Sequence, residues 1–234
     1  MNRKIIMPSV RTNTHHLIKR AMCMLLDCAL YVLYILLMAS ALWLREIHEW
    51  LGIAFFALLI IHLVLNRGHI MRFNKKHIVS TCFNGALLIC IAGQLISSLV
   101  LSRYALGFLP IIFGTSWARP MHMLCSNWGF VLMSVHIGFH MHRLCGLFRC
   151  DSKSIKYSKV VRALWLVVAF FGIWSFIQLN EASYLFMQVG FASTNINVPL
   201  SYMIIQYVSI SVLITGLAHY LVLIVRHFYR ACNV

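Results

Sequence analysis

The chain has 234 residues, of which 61% are hydrophobic and 11% are charged, and its formal net charge is +15. This composition excludes an ordinary water-soluble domain, which would need many more acidic side chains than the five present. Nucleic-acid binding, a common explanation of so basic a chain, is not expected because the Lys and Arg residues lie in short segments between apolar runs. The sequence therefore predicts an all-α, polytopic membrane protein.

Six apolar runs follow a basic N-terminus at 1–20, and each is long enough to cross a bilayer. In chain order, the predicted transmembrane helices are 21–43, 47–66, 78–101, 120–144, 160–180 and 200–226. The first run is too long for a secretory signal, although Ala39-Ser40-Ala41 resembles a cleavage site, so we expect a permanent helix. We divide the remainder into a four-helix core at 21–145 and two additional helices with a tail at 146–234.

The basic residues are distributed unequally between the two sides of the predicted membrane. Seventeen Lys and Arg residues lie in the N-terminus, the 67–77 loop, the 143–162 connection and the C-terminal tail. The opposite side has three, which are Arg45, Arg103 and Arg119. Because cytoplasmic segments carry the excess of cations, both termini are predicted to be cytoplasmic.

Two of the predicted spans carry histidines with equal spacing. His48 and His62 in the second span, and His122 and His136 in the fourth, are each fourteen residues apart. Fourteen residues turn through about 1400°, close to four full turns, and rise roughly 21 Å, so each helix presents its two histidines on one face. Both helices run from outside to inside, which gives an outer pair (His48 and His122) and an inner pair (His62 and His136).

Two facing imidazoles can occupy both axial positions of a haem iron. The two pairs therefore predict two b-type haems roughly 21 Å apart, an arrangement suited to electron transfer across a bilayer. Gly52 and Gly129 lie on the ligand-bearing faces, where small residues leave room for a flat macrocycle. A single intramembrane histidine is usually a hydrogen-bonded packing residue, but four at matched depths favour ligation.

Three further residues near these histidines have two interpretations each. His140 is four residues after His136 and either replaces it as ligand or hydrogen-bonds a haem propionate, although the equal spacing favours His136. Arg45 and Arg119 each precede an outer histidine by three residues, and either neutralise a propionate or anchor the helix ends at the interface.

Asp27, about two turns inside the first span, is costly in a membrane and suggests a proton route or a quinol site. Its simpler interpretation is snorkelling towards Lys19 or Arg20. Asp27 and the histidines also support an alternative function, that of a haem-free transporter or channel for metal ions or protons.

The stretch REIHEWLGIAFFALLIIHLVLN, followed by RPMHMLCSNWGFVLMSVHIGFHMH, resembles the membrane cytochrome b group, which includes ferric-reductase-like transmembrane domains. It is most similar to small bacterial flavinylation-associated cytochromes, whose hallmark is HEWLG followed by a distal His and Asn. The resemblance covers about 20–145 and implies a haem-binding four-helix bundle in the bacterial inner membrane, with the two histidine pairs as ligands. It also implies electron transfer between quinol, or a cytoplasmic donor, and an extracytoplasmic flavoprotein. No bond-making catalytic group is predicted.

Overall fold

A computed structural model describes residues 10–40, 45–70, 78–108, 116–147, 155–189 and 198–232. Every regular element in these residues is a helix, as the all-α prediction requires. In chain order the helices are α1 (Val10–Ser40), α2 (Arg45–Ile70), α3 (Ile78–Leu101), α4 (Ala118–Leu147), α5 (Ile155–Gln178), α6 (Glu181–Leu185) and α7 (Leu200–Cys232).

Five of these helices are long and apolar enough to cross a membrane. The apolar segments are Ala21–Ser40, Arg45–Gly68, Ile78–Leu101, Lys159–Gln178 and Leu200–Val225. Helix α4 occupies the position of the predicted fourth span and is 30 residues long, but it is not one of the five, because its histidines, Asn127 and serines lower its hydropathy. The structure thus defines a multi-pass helical membrane protein with five apolar spans in its described residues, one fewer than predicted.

Helices α4 and α7 lie at the centre of the packing. Helix α4 packs against α3, α6 and α7, while α7 also contacts α1 and α5, and α2 packs against α1. Glycines allow the closest approaches: a Cβ at Gly138 of α4 would lie 2.6 Å from the Thr215 carbonyl oxygen of α7. Residues after 145 therefore contribute to the same core as the predicted four-helix unit.

An aromatic layer joins α1, α2, α4 and α7. Tyr34 of α1 packs edge-on against Phe55 of α2, with ring centroids 5.4 Å apart, and stacks on Phe130 of α4 at 6.4 Å. The Tyr34 hydroxyl donates a 3.0 Å hydrogen bond to the Ser126 carbonyl oxygen, and Phe130 contacts Tyr207 of α7. Phe55 and Phe130 lie about halfway between the two histidines of their helices, so this layer separates the two predicted depths.

Candidate functional site

The fold brings the outer pair together. His48 follows Arg45, the first residue of α2, by three positions, and His122 follows Ala118, the first residue of α4, by four. Their ring centroids are 6.2 Å apart, and the ring planes meet at 62°. Because both residues belong to the first turns of their helices, α2 and α4 begin at the same end of the bundle, as the matched depths require.

The separation of these two rings fits a pair of imidazoles that share one metal ion. A metal–imidazole nitrogen bond is about 2 Å long and the ring centroid lies about 1 Å behind the nitrogen, so two coaxial ligands have centroids roughly 6 Å apart. Within the described ranges, α2 and α4 do not pack closely along their length. Gly52, one turn after His48, faces open space, since a Cβ there would meet no described atom within 4 Å.

Hydroxyl groups on the preceding helices contact the Nδ1 atoms of the outer pair. Nδ1 of His48 lies 3.5 Å from Oγ of Ser40, at the end of α1. Nδ1 of His122 lies 3.3 Å from Oγ of Ser98 and 3.5 Å from Oγ of Ser97, both in α3. A metal-binding histidine commonly uses its second nitrogen for such an orienting contact. These contacts are long, so the serines orient the outer rings only weakly.

The other nitrogen of His122 has a competing partner. The Gln94 amide nitrogen lies 3.0 Å from Nε2 of His122, while the Gln94 amide oxygen is buried without a hydrogen-bond partner among the described residues. A buried acceptor without a partner costs free energy, so this amide is not fully satisfied where it lies. Ligation through Nε2 of His122 requires Gln94 to release that nitrogen.

The inner pair has shorter orienting contacts. Nδ1 of His62 lies 2.8 Å from a carboxylate oxygen of Asp27 in α1. Nδ1 of His136 lies 2.8 Å from the Asn84 amide oxygen in α3, and its ring packs against His140 with centroids 4.7 Å apart. These distances are those of an imidazole N–H that donates to an oxygen. The described partners of His62 and His136 thus lie on different helices, Asp27 on α1 and Asn84 on α3. At the outer pair, by contrast, the two histidine rings also contact each other.

The structure assigns Asp27 a different partner from the one considered in the sequence. Its carboxylate contacts His62 across the interface between α1 and α2, and Asn66 hydrogen-bonds the His62 backbone oxygen one turn away. A carboxylate inside a membrane span is expected to be paired. Asp27 is therefore part of the histidine constellation.

All four histidines share one arrangement, in which Nδ1 faces a polar side chain of the preceding helix. Asp27 was singled out from the sequence but was not connected with His62, and the four other partners were not identified. A signal was present, since the polar residues of α1 are thirteen residues apart and those of α3 are thirteen or fourteen apart, close to the histidine spacing. The partners are Asp27 and Ser40 for α2, and Asn84, Ser97 and Ser98 for α4.

Glu49, the neighbour of His48, is a second residue that sequence reasoning missed. Its carboxylate accepts a 2.8 Å hydrogen bond from the Ser102 hydroxyl and bonds of 2.9 to 3.0 Å from the backbone N–H groups of Arg103, Tyr104 and Ala105. Successive backbone N–H groups of this kind form an anion-binding concavity. Glu49 thereby ties the first turn of α2 to the segment that follows α3 and holds the backbone beside His48.

Gly129 is in close contact with α1. A Cβ at Gly129 would lie 2.5 Å from the Tyr34 hydroxyl oxygen. The lack of a side chain at Gly129 therefore leaves room for the Tyr34 ring between α1 and α4. Arg45 and Arg119 are exposed at the beginning of α2 and α4, beside the outer pair. That position agrees with both of their predicted roles.

In the part of the chain that the structure describes, no three His, Cys, Asp or Glu side chains form a metal-binding group. A bis-imidazole haem takes only two protein ligands, so this observation does not bear on haem. No family model, curated protein or solved structure matches the chain. The resemblance to membrane cytochromes therefore stays a prediction, and a functional assignment rests on the residues and their geometry.

Proposed function

We propose that this chain is a transmembrane electron conduit that binds two b-type haems, one between His48 and His122 and the other between His62 and His136. The observation that carries the proposal is the 6.2 Å separation of the His48 and His122 rings. The common orientation of all four Nδ1 atoms supports it, because such contacts orient the ring that a metal binds, weakly at the outer pair and more strongly at the inner pair. When bound, haem supplies a reversible one-electron carrier whose potential depends on its axial ligands and burial.

In this proposal α4 is a sixth membrane crossing. Its polar side chains include His122 and His136, which contact α3, and Ser134, which donates a 3.0 Å hydrogen bond to Ser211 of α7. Polar groups paired between helices are compatible with a membrane span. Six crossings put both termini on one side, and the excess of cations on that side supports a cytoplasmic location in a bacterial inner membrane.

The protein side chains hold the two sites and keep them apart. Polar residues of α1 and α3 contact Nδ1 of each imidazole, which leaves Nε2 as the nitrogen that would bind a metal. At His122, Gln94 would first have to release this nitrogen. The rings of Tyr34, Phe55 and Phe130 exclude water from the space between the two depths. Arg45 and Arg119, which are exposed three residues before the outer histidines, would neutralise propionates at the outer site.

The proposed partners follow from the resemblance and the topology. Quinol or a cytoplasmic reductant donates electrons, and an extracytoplasmic flavoprotein accepts them. The sequence contains no Gly-rich nucleotide-binding motif after a strand, which favours an electron-transfer subunit over a complete reductase. If quinol is the donor, quinone is a second cofactor of the protein.

The test is a visible spectrum of the full chain purified after haem-replete expression. We expect a Soret band that sharpens and shifts on reduction with dithionite, and about two haems per chain by pyridine haemochrome assay. His48→Ala should lower the content to about one haem, whereas the control His219→Ala in α7 should keep about two. A colourless preparation would contradict the proposal.

A second candidate function is supported by the pair formed by Asp27 and His62. A carboxylate and an imidazole 2.8 Å apart inside a membrane span are groups that relay protons or bind a metal ion. A haem-free transporter or channel would move protons or divalent cations into vesicles that contain the purified, colourless chain. Asp27→Asn should abolish that flux, and flux that persists in this variant would contradict the second candidate.

A further inference from the structure

We propose that Asp27 is a positioning residue whose negative charge lowers the midpoint potential of the inner haem. This inference rests on the proposed ligation by His62 and adds a role that ligation alone does not require. Asp27 acts through the imidazole and does not touch the iron.

The geometry at His62 is that of a carboxylate, a histidine and a metal in series. Asp27 Oδ1 lies 2.8 Å from Nδ1, the nitrogen that a ligand bound through Nε2 leaves for an orienting contact. A carboxylate that accepts this N–H increases the basicity of the imidazole. A more basic axial ligand stabilises ferric over ferrous iron, because the ferric ion carries the larger positive charge.

A carboxylate at the position of Asp27 costs free energy in a membrane, which favours a functional role for it. It lies six residues inside the apolar segment Ala21–Ser40, or about 9 Å along the helix axis. The Asp27 side chain is 54% exposed, and a segment of this length and apolar composition is expected to lie in the hydrocarbon core of a bilayer. A charge in that medium is only weakly screened, so its effect on a neighbouring metal is larger than in water.

Asp27 also makes the two proposed haem sites electrostatically different. The orienting partners of the other three histidines are neutral: Ser40 for His48, Ser98 for His122 and Asn84 for His136. Only at the inner site is the Nδ1 partner among these described contacts a carboxylate, because the Glu49 carboxylate next to His48 hydrogen-bonds instead to Ser102 and to three backbone N–H groups. The inner haem should have the lower potential of the two, which favours electron transfer from the inner to the outer haem.

The experiment is a potentiometric titration of the haem-loaded full chain and its Asp27→Asn variant. Asparagine keeps the size and the hydrogen-bond acceptor but removes the charge. The haem that is absent from His62→Ala identifies the inner site, and the haem absent from His48→Ala identifies the outer site. We expect Asp27→Asn to raise the inner potential by at least about 59 mV, a tenfold change in a one-electron equilibrium, and to leave the outer potential unchanged.

Two matched variants isolate the charge at this position. Glu46→Gln removes an exposed carboxylate from the first turn of α2, far along the helix from His62, and should leave the inner potential unchanged. Asp27→Glu retains the charge and should keep the inner potential close to that of the wild type. An inner potential that is the same in Asp27→Asn and wild type, or an equal shift of both haems, overturns the inference.

The order of potentials in the unmodified protein gives an independent test if Asp27→Asn fails to retain the inner haem. An inner potential equal to or above the outer potential in the wild type overturns the inference whatever the variants do. Wild-type protein that contains no haem would instead contradict the proposed function, so the two failures are distinguishable.

Discussion

The outer and inner histidine pairs are built from the same parts but are held differently. At the outer pair, the two rings contact each other, and their Nδ1 atoms face serine hydroxyls at 3.3 to 3.5 Å. At the inner pair, the rings of His62 and His136 are each fixed at 2.8 Å by a carboxylate or amide oxygen of the preceding helix. At the outer site the two rings are thus already close together, although Gln94 occupies Nε2 of His122, whereas the inner site consists of two strongly oriented half-sites.

The same arrangement of two neighbouring helices therefore gives different surroundings to the outer and the inner histidines. Helices α1 and α2 repeat the relation between α3 and α4, in which the first helix orients the histidines of the second. The polar partner is a serine at the outer depth and Asp27 or Asn84 at the inner depth, and the contact is shorter at the inner depth. The comparison therefore predicts different sensitivities to substitution at the two depths.

The greatest loss of haem is expected in double variants, which differ in whether the two substituted histidines belong to the same site or to different sites. His48→Ala with His122→Ala removes both ligands of one site and should leave about one haem per chain. His48→Ala with His136→Ala removes the same number of histidines but one from each site, and should leave no stable haem. Pyridine haemochrome assays measure both contents. Equal contents in the two double variants would show that the pairing is wrong.

The next effect distinguishes His136 from His140 at the inner site. His136→Ala should lose the inner haem, because Asn84 orients the His136 ring, while His140→Ala should retain it. Asn84→Leu removes the orienting acceptor and should weaken inner haem binding about tenfold or more, as typical for such contacts, without affecting the outer haem. Spectral titration with hemin measures the affinities. Loss of haem in His140→Ala but not in His136→Ala would assign the ligand to His140.

A smaller effect is expected at the clamp that Glu49 makes next to the outer pair. Glu49→Ala removes one hydroxyl and three backbone hydrogen bonds, and should lower the free energy of unfolding by about 2 kcal/mol. Haem release to apomyoglobin should accelerate for the outer haem, because the backbone beside His48 loses its anchor. Glu46→Ala, an exposed acidic residue in the same turn, is the control. Equal release rates in both variants would contradict a clamp at Glu49.

A further effect, confined to a window of pH, is expected away from both pairs, at Glu181 in α6. Burial raises the pKa of Glu181 to about 7, and a hydrogen bond with Tyr207 partly opposes the rise. Because the folded state then binds the proton more tightly than the unfolded state, stability should fall by a few kcal/mol at most as the pH rises from about 4.5 to about 7. It should then remain level above that range.

Thermal unfolding midpoints at several pH values check this prediction. Glu181→Gln should remove the pH dependence in that range, while the haem spectra of wild type and variant should not change. A slope that persists in Glu181→Gln would assign the dependence to another group.

Parts of the site could be predicted from the sequence because they depend on helical periodicity. The fourteen-residue spacing determines that His48 and His62 share a face, and that His122 and His136 do so, whatever packs beside them. The contact between His48 and His122 agrees with the predicted depths. The spacing of the polar residues in α1 and α3 is a signal for Asp27 and Asn84, but it does not show which helix they face. The partners of His122 and Glu49, which are Gln94 and the segment Ser102–Ala105, carry no such signal, because these contacts depend on how separate helices dock.

Composition and residue spacing alone indicate a set of long helices, two of which carry a pair of histidines fourteen residues apart. These are local properties, since composition, helical rise and residue spacing do not depend on the neighbours of a helix. The packing of the helices was needed to show that α7 lies at the centre, that Gly129 makes room for Tyr34, and that Asp27 contacts His62. Those outcomes depend on which helix faces meet, and side-chain packing between distant segments controls that choice.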